Sequence, residues 1–188
     1  ARLPEALVKS PAAGAPCEAE WLIPESCGDR VLVYFHGGGF QAGSIRSHRH
    51  LAAHLAHATD SKGLIFNFRL APECPYPAAA EDCLALYRWL SSQHLPSRIV
   101  FCGDSSGAAL AINTMVAARA AGLSVPAACI VFSPVLDITS HMTVQDGVHA
   151  DPTLNPAWAR AAMRAYLGDR DPRDPDVSPL YADLSGLP

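Results

Sequence analysis

No apolar run in this sequence approaches the ~20 residues that cross a bilayer, and no block of basic, apolar and small residues suggests a secretory leader. The expectation is a soluble, cytoplasmic protein without a membrane span. Positive charge is not in excess either. Fourteen Lys and Arg stand against 18 Asp and Glu, for a net charge of −4, which removes nucleic acid from the expected partners. Arg46 and Arg49 form a short, His-mixed cluster that reads as ordinary surface. The six Cys include no C-x-x-C pair and no metal-ligand spacing, so neither a metal site nor a disulfide framework is expected. Cys83, Cys102 and Cys129 sit in apolar runs, as buried thiols do. No G-x-x-x-x-G-K-S/T occurs, which argues against a phosphate-binding loop, and no cofactor is implied. Charged residues are sparse, 17% against 49% hydrophobic ones. That balance, over 188 residues, supports one globular domain with a sizeable core. The first residue is not Met, which leaves the natural start open.

What is present is an alternation of strand and helix signals without an internal repeat. Residues 17–24 alternate weakly and read as an edge strand. Residues 31–35 form a short β-rich run that ends in glycines. Residues 47–60 place Leu51, Ala52, Leu55 and Ala58 at helical spacing. Residues 63–68 are a second strand. Residues 78–92 are a helix with Leu84, Tyr87 and Leu90 on one stripe. A third strand covers 98–103, an Ala-rich helix 106–122 closes on Gly122, and a fourth strand lies at 127–134. Residues 155–168 form a helix with an Asn-Pro start and a Gly stop. The strands are continuous apolar runs, as expected of a mostly parallel sheet covered by helices on both faces. The fold class is therefore α/β.

Two glycine motifs punctuate this pattern. "GDSSG", residues 103–107, has G-x-S-x-G spacing between a strand and a helix, the setting of a nucleophile elbow. A sharp turn there requires small residues two positions either side of its apex. Gly103 and Gly107 supply them and make Ser105 the candidate nucleophile. The backbone N–H of Ser106, at the helix N-terminus, is placed to face a developing oxyanion. "HGGGF", residues 36–40, ends the first clear strand, and its glycines allow close backbone approach to a ligand. Gly37 and Gly38 are the expected further oxyanion donors, with Gly39 as a steric spacer and His36 bracing the loop.

Together these residues resemble the hormone-sensitive-lipase family of α/β-hydrolases. "FRLAPECPYPAAAEDCLALYRWL" (68–90) is similar to that family's Y-R-L-A-P-E segment and its helix, and "SPLYADLSGLP" (178–188) looks like the loop leading to the strand that bears the acid. The resemblance covers roughly residues 20–188. It implies an α/β-hydrolase fold with 140–170 as lid or cap. It also implies a serine carboxylesterase for small esters of short- to medium-chain acids, working through an acyl-enzyme without metal or cofactor.

In the family order Ser–Asp–His, the acid and base fall after residue 188, together with the last strands of the sheet. The expectation is a longer natural protein, weak activity at best for this stretch alone, and an exposed apolar sheet edge. His141 and His149, with Asp137 and Asp146 nearby, fall where the family has its lid segment, and a lid His within reach of Ser105 is the alternative base. Phe40, Trp158, Met163 and Tyr166 either line an acyl pocket or are core and lid packing. Arg69 and Glu73 are expected to pair. Asn67 and Phe68 replace the usual Asp-Tyr, which predicts a looser supporting network. Ser106 for Ala and Ala108 for Gly are small-for-small exchanges. A homodimer, an amidase or deacetylase with the same chemistry, and a non-catalytic binding protein on the same scaffold all remain open readings.

Overall fold

The computed structural model describes residues 3, 4, 6–143 and 155–188. Its centre is a six-stranded sheet of order β1-β2-β4-β3-β5-β6, built from β1 (Leu7–Pro11), β2 (Ala19–Pro24), β3 (Val31–Phe35), β4 (Lys62–Phe66), β5 (Ile99–Asp104) and β6 (Ala128–Phe132). The four inner and right-hand strands β4, β3, β5 and β6 run parallel, whereas β1 and β2 are antiparallel additions. All five residues of β3 are buried, because helices cover both of its faces. Val31, Val33 and Phe35 enter one apolar cluster with Leu64, Phe66, Ile99 and Phe101. Leu32 and Tyr34 enter the other with Ile65 and Cys102. The period of two in side-chain direction makes that division.

Helix α1 (Ile45–Ala58) covers the second cluster, and α2 (Ala78–Ser91) and α3 (Ser105–Ala120) cover the first. A short α4 (Ile138–Thr143) and α5 (Pro156–Leu167) follow β6. Asn155 accepts from the amides of Ala157 and Trp158, with Pro156 opening α5 and Gly168 closing it, as the Asn-Pro and Gly signals predicted. The chain goes from β3 through α1 to β4, then returns through α2 to β5 on the other side of β3. The carboxyl ends of β3 and β5 therefore flank the point where strand order reverses, where open α/β sheets bind ligands.

One expectation about the sheet changes. Residues 19–24 are not an edge strand, since β2 pairs on both sides. The edge is β1, whose sequence LVKSP leaves Val8 exposed. At the opposite edge, Ile130, Val131 and Phe132 of β6 are exposed among the described residues, in line with the expected apolar edge. Cys83 and Cys102 are buried and Cys129 partly so, all free thiols. No helix among the described residues is long and apolar enough to cross a membrane, and no group of three or more described His, Cys, Asp or Glu residues can hold a metal ion.

Candidate active site

Ser105 is the junction of β5 and α3, and its φ of +52° lies in the left-handed region. A non-glycine residue there stores strain, and the neighbours show why the turn cannot relax. A Cβ on Gly103 would lie 2.9 Å from the backbone of Gly107 and Ala108. A Cβ on Gly107 would lie 2.2 Å from the carbonyl oxygen of Phe35 and 2.4 Å from that of His36. The glycines thus bring α3 directly against the end of β3. The amide of Ser106, in the first turn of α3, belongs to the set without an intrahelical acceptor. The Ser105 carbonyl accepts from Val135 N at 3.2 Å, which ties the elbow to the loop after β6.

The glycine run faces this elbow. Gly38 and Gly39 have φ of +131° and +62°, and Phe40 follows at +61°. A side chain on Gly38 would strike the Ala42 carbonyl at 2.2 Å. The expected donor assignment needs correction here. The Gly37 amide has one hydrogen, and it is donated to Asp104 Oδ1 at 2.9 Å, so it is not free for an oxyanion. Among the described residues no acceptor is found for the amides of Gly38 and Gly39. Gly39, expected as a spacer, thus has an amide as unengaged as that of Gly38 among the described residues.

His36 behaves as a brace. Its Nδ1 lies 3.0 Å from the Gly37 carbonyl oxygen, which can only accept, so Nδ1 carries the proton. The ring stacks on Phe68 at 4.2 Å and on His48 at 5.5 Å. Burial lowers its pKa, keeping the ring neutral. Beneath the loop, Tyr34 donates to Asp104 Oδ1 at 2.8 Å, and His48 Nε2 lies 3.8 Å from Asp104 Oδ2. Burial, with Asp104 second, raises the Tyr34 pKa, so this phenol stays a donor.

Of the four acyl-pocket candidates, the structure places three in the core. Phe40, Met163 and Tyr166 are 2%, 3% and 1% exposed, and the rings of Phe40 and Tyr166 stack at 3.8 Å. They have no surface to offer a ligand. Trp158 differs. It is 44% exposed, and its Cη2 would lie 2.7 Å from a Cβ on Gly39, so its indole lies beside the glycine loop. In the expected lid, 140–170, α5 packs into the core. Asp146 and His149 lie outside the described residues, as does the side chain of His141. Asp137 is described, and its carboxylate accepts from Thr139 and Tyr181.

Three supporting residues also depart from expectation. Arg69 pairs with Asp82 and Glu81 of α2 at 2.8 and 2.9 Å, not with Glu73. Asn67 does not loosen the framework, since its Oδ1 accepts from Ile45 N at the start of α1 and its Nδ2 donates to Glu18. Arg49 is no plain surface residue, because its guanidinium makes two bonds to Glu20 of β2. The sequence reading missed Asp104 and the Ser106 hydroxyl, which accepts from Phe40 N at 3.3 Å. An Asp at a helix N-cap reads as a cap, and nothing local reveals a partner 67 residues away.

Comparison with known proteins agrees with this geometry. An α/β-hydrolase fold family matches residues 32–188. The acetyl-hydrolase of Streptomyces hygroscopicus is 41% identical over 177 residues, covering 92% of this chain and 58% of that protein. The crystal structure of the esterase EstE5 soaked with p-nitrophenyl butyrate superposes with a TM-score of 0.90 at 36% identity, covering 100% of this chain and 64% of its own. A hormone-sensitive lipase from a metagenome library superposes with a TM-score of 0.92 at 32% identity, covering 100% of this chain and 65% of its own. The chain spans about three-fifths of the length of such relatives. With the elbow, the glycine loop and the sheet order in place, the chain belongs to the α/β-hydrolase fold family, in its hormone-sensitive-lipase branch.

Proposed function

We propose that the protein is a serine carboxylesterase that hydrolyses carboxylic esters of short- to medium-chain acids through an acyl-enzyme. The observation that carries this reading is the left-handed Ser105 at the β5–α3 junction, opposite a loop whose Gly38 and Gly39 amides are unengaged among the described residues. Ser105 Oγ attacks the ester carbonyl carbon and gives its proton to a general base. The carbonyl oxygen takes the negative charge and meets the amides of Gly38, Gly39 and Ser106. The alcohol leaves with a proton, and water then releases the acid by the same steps. Each oxyanion donor is worth on the order of 10²–10³ in rate. His36 is read as a brace and not as the base, because its ring is buried between Phe68 and His48 and its Nδ1 is tied to the Gly37 carbonyl.

The small-acyl preference is supported by the names of the relatives, an acetyl-hydrolase and an esterase soaked with a butyrate ester. Trp158, beside Gly39, is the residue read as bordering the acyl group. In the full-length protein, Ser105→Ala abolishes both p-nitrophenyl butyrate turnover and labelling by a fluorophosphonate, whereas Ser106→Ala retains both. Labelling that survives Ser105→Ala overturns the assignment of the nucleophile. A wild-type protein that cleaves anilides faster than esters replaces the esterase reading with an amidase.

A further inference from the structure

We propose that Asp104 and Ser106, the two neighbours of the nucleophile, are positioning residues that fasten the two ends of the glycine run and thereby hold the Gly38 and Gly39 amides in register with Ser105. This rests on the reading of Ser105 as nucleophile. Asp104 occupies the N-cap of α3 with extended backbone, φ −122° and ψ 146°, yet its side chain makes no cap bond. An Asp in that place ordinarily accepts from an amide of the first helical turn. Here the carboxylate turns away from its own helix. Its Oδ1 accepts from Gly37 N at 2.9 Å and from the Tyr34 hydroxyl at 2.8 Å. Tyr34 is fully buried, so the carboxylate is gripped from a rigid side. The fit leaves no slack, because a Cβ on Gly37 would lie 2.2 Å from Asp104 Oδ2.

The other end is held from the other side of the serine. The buried Ser106 hydroxyl accepts from Phe40 N at 3.3 Å, and the Phe40 ring is locked against Tyr166. Between the two fastenings lie Gly38 and Gly39 alone. Ser106 therefore acts twice, through its amide toward the oxyanion and through its hydroxyl toward the loop. The Asp104 bond is short and charge-assisted, the stronger class. The Ser106 bond is long and neutral, so Asp104 carries more of the effect.

The test uses the full-length protein. With p-nitrophenyl acetate, Asp104→Ala lowers kcat by on the order of 10², the weight of one oxyanion donor, while KM changes by less than about threefold. Ser106→Ala lowers kcat roughly fivefold, in line with a weaker neutral bond. Asp104→Asn keeps an Oδ1 acceptor for both donors and returns kcat to within about fivefold of wild type. Amide hydrogen exchange supplies a readout independent of turnover. Exchange at Gly37 accelerates in Asp104→Ala and at Phe40 in Ser106→Ala, and neither changes in Ser105→Ala. Exchange unaltered at both amides overturns the proposal, as does Asp104→Asn no better than Asp104→Ala. If Asp104→Ala fails to fold, Asp104→Asn kinetics and Phe40 exchange in Ser106→Ala decide. Altered exchange in a protein inactive on every ester upholds the fastening and refutes the esterase reading instead.

Discussion

Replacing Gly107 by Ala sets two physical effects of opposite sign against each other. Gly107 lies inside α3 with ordinary helical geometry. On helix propensity alone, Ala there stabilises by ~1 kcal/mol. The new methyl would stand 2.2 Å from the Phe35 oxygen and 2.4 Å from the His36 oxygen, about 1 Å inside ordinary contact. Both obstacles are backbone, so no rotamer change relieves them, and α3 must move off the end of β3. Overpacking of this kind costs ~1–3 kcal/mol or more, and a backbone obstacle places it at the upper end. The net is a loss of ~2 kcal/mol, which for a chain of this size lowers Tm by roughly 4–8 °C. The displaced carbonyls lead directly into the glycine loop, so activity in the full-length protein falls with stability. Thermal unfolding followed by circular dichroism measures the effect. An unchanged or raised Tm refutes the steric account of the elbow.

Three further outcomes follow from the geometry. Asn67→Asp restores the residue usual in the resembling family, yet it places a second carboxylate beside Glu18, whose Oε2 is 2.6 Å from the Asn67 amide nitrogen. It destabilises by up to ~1 kcal/mol at neutral pH, and adding Glu18→Gln in the urea titration recovers the loss. Tyr87→Phe removes the 2.5 Å bond to the Ser124 carbonyl and costs ~1 kcal/mol, read as a fall of a few degrees in Tm.

Burial pushes the Cys102 thiol to about 11 and that of Cys129 to about 12, from the ordinary 9.0. Both resist iodoacetamide at pH 7.5 until urea is added, as peptide mass spectrometry reads. Between pH 9 and 11 the unfolded chain gives up these protons first. The thiols' share of stability is therefore complete below pH 9 and falls as pH rises. A urea midpoint that rises over that range contradicts the burial.

The legible parts of the sequence were those in which local chemistry and tertiary setting demand the same residues. Val31–Phe35 reads as a strand because burial on both faces needs an unbroken apolar run. Gly103 and Gly107 read as an elbow because only glycine fits against the abutting backbone. LVKSP of β1 was illegible because it is a half-polar edge whose register comes from β2. Met163 and Tyr166 read equally as acyl-pocket lining or as packing, because an apolar side chain on a helix does not itself say whether it meets core or ligand. Arg69 reached Asp82 rather than the nearer Glu73 because α2, not the intervening loop, faces it. Asp104 carries the same limit, since its contacts come from Tyr34 of β3 and from Gly37 in the loop that follows it.

Three non-glycine residues with left-handed backbone, Phe40, Ser105 and Ser133, follow the carboxyl ends of β3, β5 and β6, which are neighbours in the sheet. Each costs ~1–2 kcal/mol relative to a relaxed residue, a sizeable share of the 5–15 kcal/mol margin typical of a folded domain. Stability and competence are thus in opposition along this rim. A selection for heat resistance alone would keep Phe40, whose ring packs against Tyr166 in the core, and drift toward glycine at the two serines. At Ser105 it would exchange the proposed nucleophile for a more comfortable turn.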